Sequence, residues 1–362
     1  MMKLYDYNCV RRFMRTIDPG TRVKILPMNI LFQKALHNQP LENSDLLSIL
    51  QIPDSEIWNL LSYSDRLRFH FKGNKVKLCS IANVKNGSCS ENCGFCAQSA
   101  HFATGNQAYG YVGTEKVKAA SDEAKDNGAC LGLVSQGWGL KRNKDRQAIL
   151  ETISQLSKSR RVDASLGILD EDDARALKEA GLACYNHNIE AAPSFFDQVV
   201  TTHSYQDRIN TIRNIKAQGI HACVGGIFGM GETLDQRVEF AQTIRLLDVD
   251  VIPINFLHHI HGTPIAAKAQ PMSPIECLKS IAMLRFANPT KDIKVAGGRE
   301  ANIRDLQALV FAAGANSILI GNYLTTYGRA AADDLKMIAD LGLEVVTEEA
   351  MQVVEDVVPA LA

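Results

Sequence analysis

The sequence predicts an α/β protein built as a TIM-type (β/α)8 barrel, with an N-terminal helical extension and a C-terminal helical tail. From about residue 75 onward, short runs rich in β-branched residues alternate with longer amphipathic stretches, which is typical of a parallel sheet covered by helices. Eight such runs occur, and this barrel has eight strands. A chain of 362 residues accommodates a barrel of ~250 residues together with extensions at both ends.

The predicted strands share short length and a high content of apolar residues. They cover residues 75–83, 130–135, 162–167, 184–189, 221–228, 251–255, 293–296 and 317–320. The predicted helices between them begin at capping residues and end at glycines, as helix termini require. Such helices run from Thr114 to Gly128, from Asp170 to Gly181, from Ser204 to Gly219 and from Asn302 to Gly314.

We divide the chain into four parts. Residues 1–40 are expected to be an N-terminal extension without an assigned function, in which Met28 is an alternative start. Residues 41–74 form a helical lead-in to the first strand, because residues 41–68 have helical periodicity. The barrel covers residues 75–335, and residues 336–362 form a C-terminal helix or tail, with the last helix expected over 340–362.

The composition excludes several classes of function. A net charge of −1 argues against a nucleic-acid partner, and no apolar run reaches the roughly 18 residues that a membrane span needs. The nine cysteines, three of them clustered, indicate intracellular thiol and metal chemistry instead of a secreted disulfide framework. We therefore expect a cytoplasmic protein that acts on small molecules.

The run CSENCGFC, at residues 89–96, carries the strongest chemical signal. Its thiols, Cys89, Cys93 and Cys96, suit a cubic iron–sulfur cluster, and three ligands leave one iron open to an exogenous ligand. The run follows the first strand, at the barrel end where active sites lie, so these cysteines are predicted to be both metal ligands and catalytic. A structural zinc site completed by a distant residue is the alternative, although such sites favour paired Cys-x2-Cys units.

Two further segments carry candidate binding residues. In YNHNIE, residues 185–190, strand alternation places Asn186, Asn188 and Glu190 on one face, which suits ribose hydroxyls and ureido or amide groups. His187 has the opposite parity and is expected to pack, whereas Asn255 ends the sixth strand and adds another amide.

The second segment is the glycine-rich turn GGIFGMGET, residues 225–233. Gly225 would allow the backbone to approach a nucleotide closely, and Ile227 would pack on an adenine ring. A tight turn between strand and helix, without a ligand, is the alternative interpretation.

Together with NGSCSENCGFCAQS, VTTHSYQDRINTI, GIHACVGGIFGMGET, PINFLHHIHGTP, AGGRE and GANSILIGN, these motifs make residues 45–344 resemble the biotin synthases of the radical SAM family. The resemblance implies conversion of dethiobiotin to biotin by sulfur insertion through a 5′-deoxyadenosyl radical. It implies a 4Fe-4S cluster on the three clustered cysteines and S-adenosylmethionine (SAM) on the open iron. Asn188, Glu190 and Arg208 would contact SAM, and Asn188 and Asn255 the substrate.

The resemblance also implies partners, namely a low-potential electron donor such as flavodoxin or ferredoxin and a second copy of the chain in a homodimer. It includes one departure. Ordinary members hold a second, 2Fe-2S cluster as sulfur source on three cysteines and an arginine. Of these positions the chain keeps only Cys223, because Gly132, Asp163 and Lys294 occupy the other three.

Other cysteines fit a replacement for that cluster. Cys79, Cys130 and Cys184 have the strand parity of inward residues and, with Cys223, would bring four thiols into the lower barrel. These thiols predict an auxiliary iron–sulfur cluster whose type stays open, a four-iron cluster being one option. The alternative is that they are small core residues, and Cys9 and Cys277 have no assigned role.

Two other functions remain open. One is a different radical SAM sulfur-insertion or maturation enzyme, similar to lipoyl synthase, although the asparagines favour a ureido ligand. The other is a cluster-binding homologue without catalysis, which SAM cleavage upon reduction would exclude.

Overall fold

In a computed structural model, which describes residues 26–135, 140 and 144–346, parallel strands close into a barrel. The strands are β1 Lys75–Asn83, β2 Ala129–Val134, β3 Val162–Ser165, β4 Cys184–Asn186, β5 His221–Cys223, β6 Gly226–Phe228, β7 Val251–Phe256, β8 Asp292–Val295, β9 Ser317–Leu319 and β10 Glu344–Val345. From β1 to β5 and from β6 to β9, strands that follow each other along the chain pair side by side, and β9 returns to β1 with Cys79 opposite Leu319. The predicted (β/α)8 barrel is confirmed.

The fifth barrel strand differs from its prediction, because residues 221–228 form two short strands instead of one. β5 pairs with β4 and touches β7 only at Cys223 and Val251, whereas β6 pairs with β7 over its whole length. Between them, a Cβ atom on Gly225 would lie 1.7 Å from the Pro253 carbonyl oxygen. At this break the backbone of Gly225 therefore lies closer to the neighbouring strand than a residue with a Cβ atom would allow.

The helices surround the barrel and precede it. They are α1 Met28–Leu36, α2 Asn43–Leu50, α3 Ile57–Lys72, α4 Thr114–Asp126, α5 Arg146–Leu156, α6 Glu171–Glu179, α7 Tyr205–Ala217, α8 Leu234–Leu247, α9 Pro274–Ala287, α10 Arg299–Ile303, α11 Leu309–Ala312 and α12 Ala331–Asp340. Short 3-10 turns cover Asp54–Glu56, Phe196–Gln198 and Arg304–Leu306. None of the described helices combines the length and apolar composition that crossing a membrane requires.

Two of the predicted helix starts have the expected capping bonds, whereas the helix at Thr114 is preceded by Gly113 and has no side-chain cap. The Asp170 side chain accepts a hydrogen bond from the Asp173 amide, and the Ser204 side chain accepts one from the Asp207 amide. Gly128, Gly181 and Gly219 follow their helices with positive φ angles, which a residue with a Cβ atom adopts at a cost.

Two predicted helices near the C-terminus were wrong in extent. The segment 302–314 breaks into α10, a 3-10 turn and α11, because Arg304 takes a positive φ of 53°. In the expected last helix, residues 344–345 instead form β10, which pairs with the start of β1. Residues 347–362 of that expectation lie outside the described part of the chain, as does Cys9.

The lead-in helices pack on the barrel, and so does part of the predicted N-terminal extension. Leu31, Phe32 and Ala35 of α1 are buried. At the lower end of the barrel, Asp292 bridges the ammonium groups of Lys72 and Lys77, each at 2.8 Å. This end is therefore held by ion pairs, and the opposite end, where the strands finish, carries the loops described next.

Candidate active site

The loop that carries the three clustered cysteines leaves β1 and is fixed by backbone hydrogen bonds. The Cys89 amide donates to Gln98 O over 3.0 Å, and the Cys96 amide donates to Cys93 O over 2.9 Å. The Gly94 amide reaches across to Val199 O at 2.8 Å. These bonds set where the three thiols lie before any metal binds.

The chemistry of these thiols favours metal ligation. Burial raises the pKa of Cys93 to about 12 and that of Cys96 to about 11. At neutral pH these two thiols keep their protons unless a cation replaces them, and iron does so when it binds. The loop therefore fits the 4Fe-4S cluster that its spacing predicts.

The cysteine loop borders a cavity at the mouth of the barrel. Residues from the loop, from the end of β4 and from α7 meet there, and the cavity lining includes Cys89, Cys93, Asn188, Glu190, His203 and Arg208. The structure thus brings together predicted residues that are far apart in sequence. Asn186 and His187 also line the cavity. The packing role expected for His187 is present, since its ring stacks on Tyr185 with centroids 6.2 Å apart, but the residue borders the cavity as well.

Glu190 is the most unusual residue of this cavity. It has a positive φ of 62°, and its carboxylate is buried with Oε1 3.2 Å from Arg208 Nη1. Its Oε2 has no hydrogen-bond partner among the described residues. Burial raises the pKa of Glu190, and the charge of Arg208 opposes that rise. An acceptor without a donor at a cavity wall fits the ribose hydroxyls of SAM.

Arg208 is held from several sides. Its Nη1 donates to Asn188 O over 2.8 Å, its Nε donates to His203 Nε2 over 3.0 Å, and its guanidinium lies 5.8 Å from the Phe196 ring centroid. A fixed planar cation of this kind recognises carboxylates, such as that of SAM.

The asparagine side chains are engaged by the backbone. Asn188 Oδ1 accepts from the Gly225 amide at 3.1 Å, and Asn255 Oδ1 accepts from the Gly297 amide at 2.8 Å. Asn255 Nδ2 also donates to Gly226 O. Their substrate contacts remain predictions.

The glycine-rich turn has a structural role, which the sequence analysis gave as the alternative to ligand binding. Gly225 is required by its contact with Pro253, and the Ile227 amide donates to Glu190 O over 2.8 Å, which joins β6 to the cavity wall. The cofactor contacts of Gly225 and Ile227 remain predictions.

Sequence reasoning missed two residues of the site, Glu91 and His203. Glu91 Oε2 lies 2.6 Å from His203 Nδ1 across 112 positions of sequence. The only available signals were the place of Glu91 inside the cysteine run and of His203 inside the motif that contains Arg208. Neither signal indicates that the two side chains touch.

The lower barrel holds the four other predicted thiols, all buried. Cys79 and Cys130 are direct partners in the β1–β2 register, and their sulfur atoms lie within 4.8 Å of each other. Cys184 of β4 and Cys223 of β5 form a second neighbouring pair, in which each thiol shifts the pKa of the other. The inferred inward direction of these thiols is confirmed.

Charged side chains accompany these thiols. Asp163 Oδ1 accepts from Arg161 Nε at 3.0 Å, its Oδ2 lies 3.8 Å from Cys130 Sγ, and Lys294 Nζ lies 4.0 Å from Cys223 Sγ. The ligand atoms of Cys79, Cys130 and Asp163 lie within 4.8 Å of one another, as ligands of one metal ion can. Interaction with the Cys130 thiol is the main cause that lowers the pKa of Cys79 to about 6, and Lys294 also lowers it. The pKa of Cys223 is lowered as well, whereas those of Cys130 and Cys184 are raised, so each neighbouring pair favours a single thiolate.

Comparison with known proteins defines the class first. A profile of the radical SAM superfamily matches residues 84–244, which include the cysteine loop, Glu190 and Arg208. A profile of the Biotin and Thiamin Synthesis associated domain matches residues 253–344. The protein is thus a radical SAM enzyme.

Close relatives then define the family. Biotin synthase of Citrifermentans bemidjiense is 45% identical over 322 residues, covering 88% of this chain and 98% of the relative. Biotin synthase of Geobacter sulfurreducens is 45% identical over 318 residues, covering 87% and 96%. The chain belongs to the biotin synthase family. It is therefore an enzyme of radical SAM sulfur insertion into dethiobiotin, with a 4Fe-4S cluster and SAM as cofactors.

Solved structures agree on the fold. Methylornithine synthase superimposes with a TM-score of 0.78 at 18% identity, covering 90% of this chain and 99% of the other. The [FeFe]-hydrogenase maturase HydG superimposes with a TM-score of 0.74 at 16% identity, covering 88% and 74%.

Proposed function

We propose that this enzyme converts dethiobiotin to biotin with sulfur from an auxiliary iron–sulfur cluster held by Cys79, Cys130, Cys184 and Cys223. One observation carries the proposal: four buried thiols from four strands converge inside the barrel as two neighbouring pairs, Cys79 with Cys130 and Cys184 with Cys223. Buried cysteine alone is common. Here, however, the thiols share the interior with Lys294, and a buried ammonium group is costly without an anionic partner such as thiolate ligands.

The upper cavity would bind the radical source. Cys89, Cys93 and Cys96 would hold the 4Fe-4S cluster, which with SAM supplies the 5′-deoxyadenosyl radical that takes hydrogen from the substrate. Glu190 would accept hydrogen bonds from the SAM ribose, and Arg208 would orient the SAM carboxylate. Each of these side chains is fixed by protein contacts, so the cofactor would enter a largely preformed site.

The two sites are close enough to cooperate. Asn186 lines the upper cavity, and its Nδ2 lies 3.4 Å from Cys223 Sγ, opposite which it sits in the β4–β5 register. Substrate held by Asn188 and Asn255 would therefore lie between the radical source above and the sulfur source below. The barrel wall would shield the substrate radical from water.

We also propose that the enzyme works as a cytoplasmic homodimer and receives electrons from a low-potential flavodoxin or ferredoxin. The four-part division of the chain, with the barrel at residues 75–335, belongs to the same proposal. Sedimentation analysis of the anaerobic enzyme would measure the oligomeric state, and a single-copy mass would refute the dimer.

The sulfur source is tested by isotope labelling. The protein is reconstituted anaerobically with iron and ³⁴S-sulfide, freed of excess sulfide, and incubated with SAM, dithionite and dethiobiotin. Mass spectrometry should find ³⁴S in biotin, together with 5′-deoxyadenosine. Biotin without the label would overturn the proposed source.

Paired variants identify the ligands. Cys223→Ser should lower labelled biotin by more than about 100-fold and keep 5′-deoxyadenosine formation, because only the lower site loses a ligand. The matched control is Cys277→Ser, which alters a buried cysteine of α9 and should leave both products unchanged. Equal biotin yields from the two variants would refute the assignment of Cys223.

A further inference from the structure

A continuous chain of hydrogen bonds joins the cysteine loop to the proposed SAM-binding residues. Glu91, between Cys89 and Cys93, contacts His203 Nδ1 at 2.6 Å. His203 Nε2 contacts Arg208 Nε at 3.0 Å, and Arg208 contacts Glu190. The proposed cluster and SAM contacts assign no role to His203, which lies in the middle of this chain of hydrogen bonds.

The geometry determines the state of that histidine. Arg208 Nε always carries a hydrogen, so the His203 Nε2 that receives it acts as acceptor. A neutral ring then carries its own hydrogen on Nδ1 and donates it to Glu91 Oε2. Burial and the charge of Arg208 lower the pKa of His203, in agreement with a neutral ring.

Both ends of the chain are anchored. Glu91 Oε2 also accepts from Thr202 Oγ1 at 2.6 Å, and the Glu91 carbonyl accepts from Ser99 Oγ at 2.6 Å. At the other end, Arg208 bonds to Asn188 O and to Glu190. The ring of His203 is buried and meets Phe196 edge-on, with centroids 5.8 Å apart. A shift at one end is therefore transmitted to the other.

We propose that His203 is a positioning residue for SAM, fixing Arg208 relative to the cysteine loop so that SAM meets the cluster and Arg208 together. The inference rests on the proposed role of Arg208. Its physical basis is that the ring offers one acceptor and one donor at opposite sides, so it orients the guanidinium toward the cavity. Without the acceptor, Arg208 Nε would lose a buried partner and the guanidinium could rotate.

The test measures SAM affinity and does not depend on turnover. Protein loaded with the loop cluster, without reductant so that SAM stays intact, is titrated with SAM by calorimetry. His203→Leu removes donor and acceptor at similar volume and should weaken SAM binding by about 10- to 100-fold. His203→Gln keeps one acceptor and one donor and should recover most of the affinity.

Controls separate positioning from folding. His70→Leu, on an exposed position of α3, should bind SAM like the original protein. Iron content and melting temperature of His203→Leu should stay near the original values. If that variant does not fold, Glu91→Gln tests the same link and should weaken SAM binding several-fold, because the amide has a single oxygen and cannot keep the contacts that both carboxylate oxygens of Glu91 accept.

The outcomes are distinct. Unchanged SAM affinity in folded His203→Leu, or in Glu91→Gln, would overturn the positioning role alone. Failure of the original protein to bind SAM would overturn the proposed role of Arg208 and the inference with it. SAM binding and cleavage without biotin formation would overturn the proposed sulfur source and leave the positioning role of His203 standing.

Discussion

The upper and lower thiol groups of this barrel are built in opposite ways. The upper group, Cys89, Cys93 and Cys96, comes from one loop of eight residues, CSENCGFC, held by local backbone bonds. The lower group comes from β1, β2, β4 and β5, and its members meet only because the barrel closes with the observed register. The first group is a motif, whereas the second is a consequence of the fold.

Because the two thiol groups are built differently, a substitution should impair metal binding in a different way in each group. A substitution in the loop removes a ligand from a preformed constellation without disturbing the strands. A substitution in the lower group acts in the barrel interior, where the charges of Asp163, Lys294 and the thiols compensate one another. Loss of one member there leaves an uncompensated charge.

The largest effect is expected from Cys93→Ala. It removes a ligand of the radical-generating cluster and should lower 5′-deoxyadenosine formation by more than about 1,000-fold. Iron bound in the lower barrel should remain, as Mössbauer spectra of ⁵⁷Fe-loaded protein would measure. Complete loss of iron would show that the two sites do not assemble independently.

Cys130→Ser should have the complementary effect. It replaces the sulfur of one ligand in the lower group by a hydroxyl oxygen and should reduce biotin formation by more than about 100-fold, while SAM cleavage continues. The ratio of 5′-deoxyadenosine to biotin, measured by mass spectrometry, should rise accordingly. A proportional fall of both products would contradict the separation of the sites.

Lys294→Met tests the electrostatics of the lower barrel. The substitution removes the ammonium group 4.0 Å from Cys223 Sγ and should lower iron retention there by about 10- to 100-fold. Lys294→Arg keeps a cation and serves as the control. Equal retention in both variants would mean that the positive charge does not contribute.

Tyr185→Phe should have the smallest effect. The Tyr185 hydroxyl donates to Gly167 O at 2.6 Å and accepts from the Leu166 amide at 2.9 Å, outside both thiol groups. Its loss should lower the free energy of unfolding by about 1–3 kcal/mol, with both cluster sites intact. Urea denaturation measures the change, and loss of iron in this variant would indicate that β4 couples stability to metal binding.

Much of the fold was predictable because its signals are local. Strand runs, caps such as Ser204 and glycines such as Gly219 act within a few residues, and the structure has them where they were expected. The errors lie where distant contacts compete with local preference. The strand predicted over residues 221–228 is interrupted where its backbone approaches Pro253 of a neighbouring strand. In the last predicted helix, residues 344–345 pair with β1 instead of continuing as helix.

The candidate site divides in the same way. The cysteine spacing and the alternation of Asn186, Asn188 and Glu190 are sequence properties, so their residues could be named in advance. The bond between Glu91 and His203 could not, because 112 residues separate them and neither belongs to a periodic pattern.

The barrel, the family and the residues of both thiol groups could be read from the amino-acid sequence, because they depend on residue type, spacing and strand parity. Folding in three dimensions was needed to show which thiols lie next to each other, which oxygen of Glu190 lacks a donor and how His203 connects the loop to Arg208. The two kinds of information differ in the distance along the chain over which they act. Parity fixes the face on which a side chain lies, but distance and partner depend on how the strands are staggered around the closed barrel.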